Sequence, residues 1–495
     1  MKSINSVHTP TPRPERILQF GEGNFLRAFV DWMIDILNEQ GDFDGNVVAV
    51  QPIAQGLAPL INAQEGVYTT ILRGMQGGKR VEEMRQITSL SRVLNPYEAD
   101  DWASYLAVIE SPDLRFVVSN TTEAGIAYVK EAHRTDAVQQ SFPAKVCALL
   151  HHRYTHFHGD RSKGLVFIPC ELIDKNGETL QSIVLRQAHE WGLEEGFKTW
   201  VEEACDFLNS LVDRIVPGYP RSEAAAYEER LGYSDKVMVS AEIFHLWVIE
   251  YKKRSYEAEL PLRAAGLNVI WTDDMSFYRT RKVRILNGAH TMSVLAAYQA
   301  GHQTVQDCIA DKALLYPFMY NGIFGEIIPS MDGSKEELSG YAADVLERFA
   351  NPFNPHQLLS ISLNSVSKFK TRDLPSLLGY IKKEKTLPTR LVFSLAALIS
   401  FYEGVEFEGS ALKGSRGGET YLIQDDQAVL EFFQAQYKAG GSVGEKAKRL
   451  ATSVLSNSAW WGEDLTGIDG LTALVESYLT AIWTVGMKSA IKEVV

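Results

Sequence analysis

The chain has 495 residues, of which 45% are hydrophobic and 22% charged, and its formal net charge is -13. This length exceeds what one hydrophobic core usually supports, so two or three domains are expected, and the composition argues against global disorder. The acidic balance argues against nucleic acid as a partner, although a local basic pocket for a small anion remains compatible with it.

The cysteines and the apolar runs indicate a cytoplasmic protein with no membrane partner. Cys147, Cys170, Cys205 and Cys308 are widely spaced without a CxxC pair, which predicts reduced, buried thiols rather than a disulfide framework or a zinc site. The N-terminus has no apolar run typical of a secretory signal. The longest apolar stretch, 391–402, is too short to span a bilayer and predicts a buried helix.

The first half of the chain alternates short apolar strands with helices. Residues 17–20 predict a strand that runs into a glycine turn and then an amphipathic helix through about residue 37, and further strands are predicted at 47–50, 115–120, 164–169, 237–240 and 268–271. A strand, a glycine turn, a helix and a second strand in this order begin a doubly wound nucleotide-binding sheet.

The second half of the chain has helical periodicity. Helices are predicted at 278–299, 312–320, 336–349, 375–380, 390–403, 427–437, 443–455 and 471–487. The predicted fold class is therefore an α/β Rossmann-type N-terminal domain, residues 1–274, followed by an all-α C-terminal domain, residues 275–495. The expected roles are NAD binding for the first domain and substrate binding and catalysis for the second.

The glycine turn is the first candidate binding site. Gly21 and Gly23 allow the tight turn and the close backbone approach that a pyrophosphate needs at a helix N-terminus. The third small residue of the dinucleotide fingerprint is replaced by Leu26, which leaves a common turn as the alternative. Arg27 either faces the phosphates or is a solvated helix residue.

Cofactor preference depends on the residues after the second strand. Gln51 occupies the position of the usual ribose-binding carboxylate, and no Arg or Lys for a 2′-phosphate follows it. The missing cation favours NAD over NADP. After the strand 115–120, a polar turn that begins at Thr121 is typical of a cofactor crevice at carboxyl strand ends.

Lys282, Asn287 and His290 are the strongest candidates for chemistry. They bring an amine, a carboxamide and an imidazole into nine residues, which are the proton donor, oxyanion donor and orienting ring that a carbonyl reductase needs. In an α-helix Asn287 lies about 140° and His290 about 80° from Lys282. The alternative is an amphipathic helix whose Asn and His satisfy each other.

Three other groups of residues have both a functional and a structural interpretation. His152 and His156 have metal-ligand spacing, but a surface helix end fits them better. Glu242 either reaches a cleft or caps a helix. His356, Lys368 and Arg372 either hold an anionic or polyhydroxylated substrate or are solvated.

Together these segments resemble the mannitol dehydrogenase family of polyol-specific long-chain dehydrogenases. The resemblance rests on residues 21–27, 119–125 and 244–250, on Lys282-x4-Asn287-x2-His290, and on Asn351-Pro352 with His356, Lys368 and Arg372. It implies an active site between two domains, NAD as the cofactor and no metal. The cofactor-binding residues it implies are Phe20, Gly21, Gly23, Asn24, Phe25, Arg27, Asn120, Thr121 and Glu123.

The resemblance also implies roles for the catalytic residues. Lys282 matches the acid/base, Asn287 an oxyanion-stabilising carboxamide and His290 the residue that hydrogen-bonds the substrate. The chain departs from mannitol-type members at Leu172, where they tend to carry a second oxyanion donor, and at Arg279, where they tend to carry Glu. Whether nearby Asn176 replaces the missing donor is left open.

Arg279 directs the substrate prediction towards a sugar acid. A guanidinium near Lys282 gains a bidentate ion pair from a hexuronate carboxylate and nothing from a polyol; the alternative is an interdomain salt bridge. The predicted substrate-binding residues are Arg279, Glu242, His356 and Arg372. Within the family, the resemblance of residues 169–177 and 278–291 implies a reaction that interconverts tagaturonate and altronate. Fructuronate or polyol dehydrogenation and a non-catalytic NAD-binding sensor are the alternatives, in a monomer or small homo-oligomer.

Overall fold

The computed structural model describes residues 1–41, 43–122, 124–353 and 355–495. The chain divides into two compact units, Met1–Met275 and Ser276–Val495.

A six-stranded parallel sheet forms the centre of the first unit. Its strands are β1 (Glu15–Phe20), β2 (Asn46–Val50), β3 (Leu90–Leu94), β4 (Phe116–Ser119), β5 (Val166–Pro169) and β6 (Asp206–Phe207). They are ordered β3-β2-β1-β4-β5-β6. The strand order reverses between β1 and β4, and ligands bind outside the carboxyl ends of the strands at such a point.

Both faces of this sheet are buried. Ile17, Val47 and Phe116 belong to one hydrophobic cluster, whereas Leu18, Val48 and Val117 belong to another on the opposite face. Helices cover the sheet at Asn24–Leu26, Trp32–Gln40, Ala58–Asn62, Ala99–Glu110, Phe142–His156, Asn176–Glu190 and Glu195–Ala204. The helix Ala224–Leu231 packs instead in a separate small cluster with Ile71 and Met238. Burial on both faces explains why the strands are uninterrupted apolar runs in the sequence.

Smaller sheets in the first unit correct part of the sequence prediction. Tyr68–Gln76 and Lys79–Ile87 form an unpredicted hairpin that pairs with Val239–Glu242. Asn209–Asp213, Leu246–Glu250 and Val269–Thr272 form another three-stranded sheet, and Lys2–Ser3 pairs with Tyr233–Ser234. The segment after Ser240 is therefore a strand, and the interpretation of Glu242 as a helix cap is wrong.

The second unit is mainly helical. Its α-helices are Ser276–Arg281, Gly288–Gln299, Val305–Ala310, Leu315–Gly322, Ile328–Ser330, Lys335–Phe349, Leu358–Ile361, Ser365–Arg372, Leu374–Glu384, Thr389–Phe401, Gln427–Lys438, Val443–Leu455, Ser458–Trp461, Leu471–Val485 and Met487–Lys492. Phe407–Glu408, Ala411–Arg416 and Glu419–Ile423 add a small antiparallel sheet that the sequence analysis missed. The predicted fold class, a Rossmann-type half followed by a helical half, is confirmed.

Two predictions about buried groups are also confirmed. Every residue from Leu391 to Phe401 is buried in the helix Thr389–Phe401, and all four cysteines are buried free thiols. Across the residues that the structure describes, no helix has the length and apolar character needed to cross a bilayer.

Candidate active site

The glycine turn lies at the carboxyl end of β1, next to the point where the strand order reverses. Gly21 has φ +118°, and a Cβ there would lie 3.3 Å from the Asn120 carbonyl oxygen, so the turn requires glycine. A Cβ on Gly23 would meet nothing within 4 Å. The exposed backbone at Gly23 therefore offers the open approach that a pyrophosphate needs.

The predicted cofactor residues around this turn have different environments. Phe20 is buried with its ring edge-on to Phe142, and Phe25 is half-buried and stacks on Phe29 with ring centroids 5.0 Å apart. Asn24 accepts a hydrogen bond from Arg27 Nη2 at 2.8 Å. Phe20 thus supports the turn from within the core, whereas Gly23, Asn24 and Phe25 retain exposed surface.

The turn after β4 is held by an acid that the sequence analysis did not select. Glu171 Oε1 accepts hydrogen bonds from the backbone N and the Oγ1 of Thr121, both at 2.9 Å, and its Oε2 accepts from Ser119. Burial raises the pKa of this carboxyl. Asn120 donates to the Cys170 carbonyl at 3.0 Å. The position of Glu171 just after the buried strand β5 was the sequence signal that could have identified it.

Two predicted cofactor residues need separate comment. Glu123 lies outside the described residues, and Arg27 is reassigned. Arg27 is fully buried; its guanidinium donates to the Glu22 carbonyl at 3.0 Å, to Asn24 Oδ1 and to the Val237 carbonyl. Because these contacts turn the guanidinium inward, we assign Arg27 to the interior of the fold rather than to cofactor phosphates.

A second acid shapes the loop after β2. Glu22 Oε1 accepts a hydrogen bond from the Leu57 backbone N at 3.1 Å, and Gln51 Oε1 accepts from Ala58 N at 3.2 Å. A Cβ on Gly56 would come within 2.2 Å of Glu22 Oε1. The loop therefore packs tightly against the glycine turn.

In the second unit, the predicted catalytic segment is a π-helix. Lys282–Asn287 is π-helical, and the Gly288 backbone N donates to the carbonyl of Val283 five residues earlier. The angles predicted for an ideal α-helix are therefore wrong here. The wider turn rotates Asn287 back towards the face of Lys282, and π-bulges of this kind are frequent at functional sites.

Lys282 and Asn287 keep accessible side chains in this π segment, since both are half-buried. Within the described part of the chain, the Asn287 carboxamide makes no hydrogen bond. Arg284 leaves the segment in another direction and donates to Ser376 Oγ at 2.6 Å and Ser330 Oγ at 3.0 Å. These contacts give Arg284 a structural role.

His290 follows on the next turn and is buried. Its ring stacks on Phe349 with centroids 4.3 Å apart and meets the ring of His356 edge-on at 5.5 Å. Burial, followed by the charges of His356, Arg372, Arg348 and Lys368, lowers the pKa of His290 well below its usual 6.5. The imidazole is therefore neutral at neutral pH.

His290 also has an unused ring nitrogen. Its Nε2 is buried without a hydrogen-bond partner among the described residues. An unpaired buried polar atom costs about 1–3 kcal/mol. A substrate hydroxyl would remove that cost, so this atom points to a ligand site.

Two cations lie near His290, and the acids that act on them, Asp373 on Arg372 and Asp425 on Lys368, are not in direct ion pairs with them. Arg372 donates to Thr291 Oγ1 at 3.3 Å and Lys368 to the Ile361 carbonyl at 2.8 Å. Neither forms an ion pair within 4.0 Å in the described ranges. Burial lowers the pKa of both groups. The predicted residues His356 and Arg372 are thus brought together with His290, in surroundings suited to an anion.

A buried acid that the sequence analysis missed lies beside the catalytic segment. Asp373 is fully buried, and burial raises its pKa well above 3.8 against the opposing charges of Arg372 and Arg284. A Cβ on Gly288 would lie 2.9 Å from Asp373 Oδ1. Gly288 therefore permits this acid to approach the helix between Asn287 and His290.

The remaining predicted residues are placed as follows. Arg279 is half-buried in the helix Ser276–Arg281. Glu242 is buried in the first unit, where its Oε1 accepts from the Ile215 backbone N at 2.6 Å. Leu172 is exposed. Asn176 is fully buried and donates to the carbonyls of Pro169, Glu171 and Ser210, so it does not replace the missing oxyanion donor.

Comparison with known proteins identifies the family. The mannitol dehydrogenase Rossmann domain matches residues 15–262, and the mannitol dehydrogenase C-terminal domain matches residues 274–483. The chain belongs to the mannitol dehydrogenase family. The resemblance read from the glycine turn and from the lysine, asparagine and histidine motif is thereby confirmed.

Several family relatives are similar over their whole length. Altronate oxidoreductases of Klebsiella pneumoniae and Escherichia coli are each 46% identical over 494 residues, with 99% of both chains covered. The altronate oxidoreductase of Cronobacter sakazakii is 46% identical over 493 residues, again with 99% of both covered.

Two solved structures share the fold. D-sorbitol dehydrogenase in substrate-free form has a TM-score of 0.76 at 22% identity, covering 99% of this chain and 100% of its own. The Pseudomonas fluorescens mannitol 2-dehydrogenase ternary complex with NAD and D-mannitol has a TM-score of 0.66 at 20% identity, covering 98% and 95%. At these identities the likeness concerns the fold.

Proposed function

We propose that this member of the mannitol dehydrogenase family is an NAD-dependent oxidoreductase that interconverts D-tagaturonate and D-altronate. The full-length similarity to altronate oxidoreductases at 46% identity supports this assignment. The observation that carries it is the buried, unpartnered Nε2 of His290 beside Lys368 and Arg372. A hydroxyl-bearing anion provides both the missing hydrogen bond and the missing negative charge.

The roles of the residues follow from their chemistry. When bound, NADH supplies the hydride that reduces the keto carbon. Lys282, as its ammonium, donates the proton to the oxygen that becomes the new hydroxyl, and the Asn287 carboxamide donates a hydrogen bond to that oxygen as its charge develops. Neutral His290 fixes the orientation of the substrate through Nε2.

The positions of the cations favour a sugar acid over a polyol as the substrate. Arg372 and Lys368 lack neutralising ion pairs, so a hexuronate carboxylate gains charge-assisted hydrogen bonds that a neutral polyol does not. We propose Arg372, His356 and Arg279 as substrate-binding residues. For Glu242, whose carboxylate is engaged by the Ile215 backbone, we propose only an indirect role in shaping its own sheet.

A substrate panel tests this function. Purified protein is mixed with NADH and, separately, with tagaturonate, fructuronate and fructose, and the loss of NADH absorbance is followed. We expect tagaturonate to have the highest kcat/KM and the neutral ketose the lowest. Fastest turnover of fructuronate would assign a sister hexuronate reductase, and fastest turnover of fructose a polyol dehydrogenase. NADH binding without turnover of any of them would indicate a non-catalytic sensor.

A further inference from the structure

A cavity of about 220 Å³ lies in the first unit, away from the glycine turn. It is lined by the helices Ala99–Glu110 and Phe142–His156 and by the connecting residues 133–139. Trp102, Leu106, Val138 and Leu149 contribute apolar surface. None of the predicted cofactor residues lines it, so it is distinct from the predicted cofactor site.

Two polar atoms of lining residues lack partners. Tyr105 and Gln139 are 2% and 1% exposed, and the Tyr105 hydroxyl and Gln139 Oε1 have no hydrogen-bond partner among the described residues. The Gln139 amide nitrogen is occupied, since it donates to the Arg134 carbonyl at 2.7 Å. Each unpaired atom carries a desolvation cost of about 1–3 kcal/mol, which a ligand with matching polar groups would remove.

A buried cation lines the same cavity. Lys145 is 2% exposed, and its Nζ donates to the Gln140 carbonyl at 2.6 Å. It has no ion pair in the part of the chain that the structure describes. The carboxylate of the nearby acid Glu131 accepts hydrogen bonds from the backbone N of Gln140 and of Ser141. Burial lowers the pKa of Lys145 to about 8, so most of it is charged at neutral pH.

We propose that this cavity binds a small organic carboxylate with a single ring or short alkyl body and one hydroxyl or amino donor. The ligand carboxylate accepts hydrogen bonds from Lys145 and from the Tyr105 hydroxyl, and Gln139 Oε1 accepts a hydrogen bond from the ligand's hydroxyl or amino group. The apolar lining packs against the ring or alkyl body of the ligand. A cavity of about 150 Å³ can hold benzene, so this larger one accommodates a substituted ring.

Calorimetric titration of the full-length protein tests the site with 4-hydroxybenzoate as the probe. The neutral analogue 4-hydroxybenzyl alcohol has the same ring and hydroxyl but lacks the charge. We expect the acid to bind with one-to-one stoichiometry and at least about tenfold more tightly than the alcohol. NADH should not compete. Absence of binding, equal affinity of the two probes, or competition by NADH would overturn the proposal.

Variants locate the binding within the cavity. Lys145→Met keeps the apolar stem, and we expect it to weaken 4-hydroxybenzoate at least about tenfold, whereas Lys130→Met, at an exposed lysine outside the cavity, leaves affinity unchanged. Ala148→Phe fills the cavity and should abolish binding of both probes. Tyr105→Phe should weaken the acid without lowering the thermal midpoint, because its hydroxyl has no protein partner to lose. Unchanged affinity in both Lys145→Met and Ala148→Phe would place the probe elsewhere.

Discussion

Two buried polar clusters, one in each unit, differ in how their charges are balanced. In the first unit, Arg27 donates to three protein oxygens and is faced by the acids Asp31, Asp235 and Glu22. In the second, His290 is surrounded by cations, and Lys368 and Arg372 have no ion pair among the described residues. A cluster whose cation is faced by acids of the protein holds the fold, whereas one whose cations form no ion pair, beside an unpaired imidazole nitrogen, suits an anionic ligand.

This contrast makes a general prediction. Variants in the second cluster and its neighbouring π segment should reduce activity and leave stability nearly unchanged, whereas variants in the first should change stability and leave the chemistry nearly unchanged. The individual substitutions test it from the largest effect on activity to the smallest.

The largest loss is expected for Lys282→Ala. A positioned general acid contributes about 10²–10⁴-fold to rate, so kcat for tagaturonate reduction should fall by at least that range. NADH binding, measured by fluorescence titration, should survive. Loss of NADH affinity with retained turnover would remove Lys282 from the catalytic role.

Asn287→Ala should follow closely. Removing one oxyanion donor typically lowers kcat by about 10²–10³-fold, and KM should change little because the interaction strengthens as charge develops. Steady-state kinetics at saturating NADH separate the two parameters. A rise in KM at constant kcat would show that Asn287 binds the ground state instead.

Arg372→Gln tests one of the two cations near His290. Losing a hydrogen bond to a charged group costs about 1.5–3 kcal/mol, so kcat/KM for tagaturonate should fall by roughly 10–100-fold, while that for fructose changes much less. The thermal midpoint is the control, because Arg372 also contacts Thr291. An equal fall for both substrates would mean that Arg372 does not recognise a carboxylate.

The two clusters also differ in how well they could be predicted. Lys282, Asn287 and His290 could be selected because they are close in sequence, and the buried strands because a doubly covered parallel sheet gives unbroken apolar runs. The inward orientation of Arg27 could not be read from the sequence because one of its acceptors, the Val237 carbonyl, lies 210 residues away. The π geometry was missed because its apolar pattern equals that of an α-helix. Asp31 had a local signal, an acid inside an apolar helix.

Arg279→Glu should have a smaller, substrate-dependent effect. Reversing the charge should weaken uronate reduction and improve neutral ketose reduction relative to it, since a carboxylate is then repelled. The ratio of the two kcat/KM values is the measurement. If activity on both substrates falls equally, Arg279 has a structural role, as the alternative interpretation of a salt bridge proposes.

Asp31→Asn should have the smallest effect on activity and a pH-dependent effect on stability. Burial raises the pKa of Asp31 from 3.8 to about 7, and the charge of Asp35 adds to this rise. Hydrogen bonds from Tyr68 and Gln19 and the charge of Arg27 oppose it. Asp31 Oδ1 and Gln19 Oε1 lack partners among the described residues, an arrangement that suits a protonated carboxyl.

The sign of the effect follows from the raised pKa. Between about pH 4 and pH 7 the folded protein keeps a proton that the unfolded chain releases, so the wild type loses about 1.4 kcal/mol of stability per pH unit across that window. The amide of Asp31→Asn does not titrate. Urea unfolding at about pH 5 and about pH 8 should therefore show the variant gaining stability relative to the wild type at the higher pH. A difference that is independent of pH would mean that Asp31 is ionised in the folded state, and that charge pairing with Arg27 outweighs burial in the first cluster.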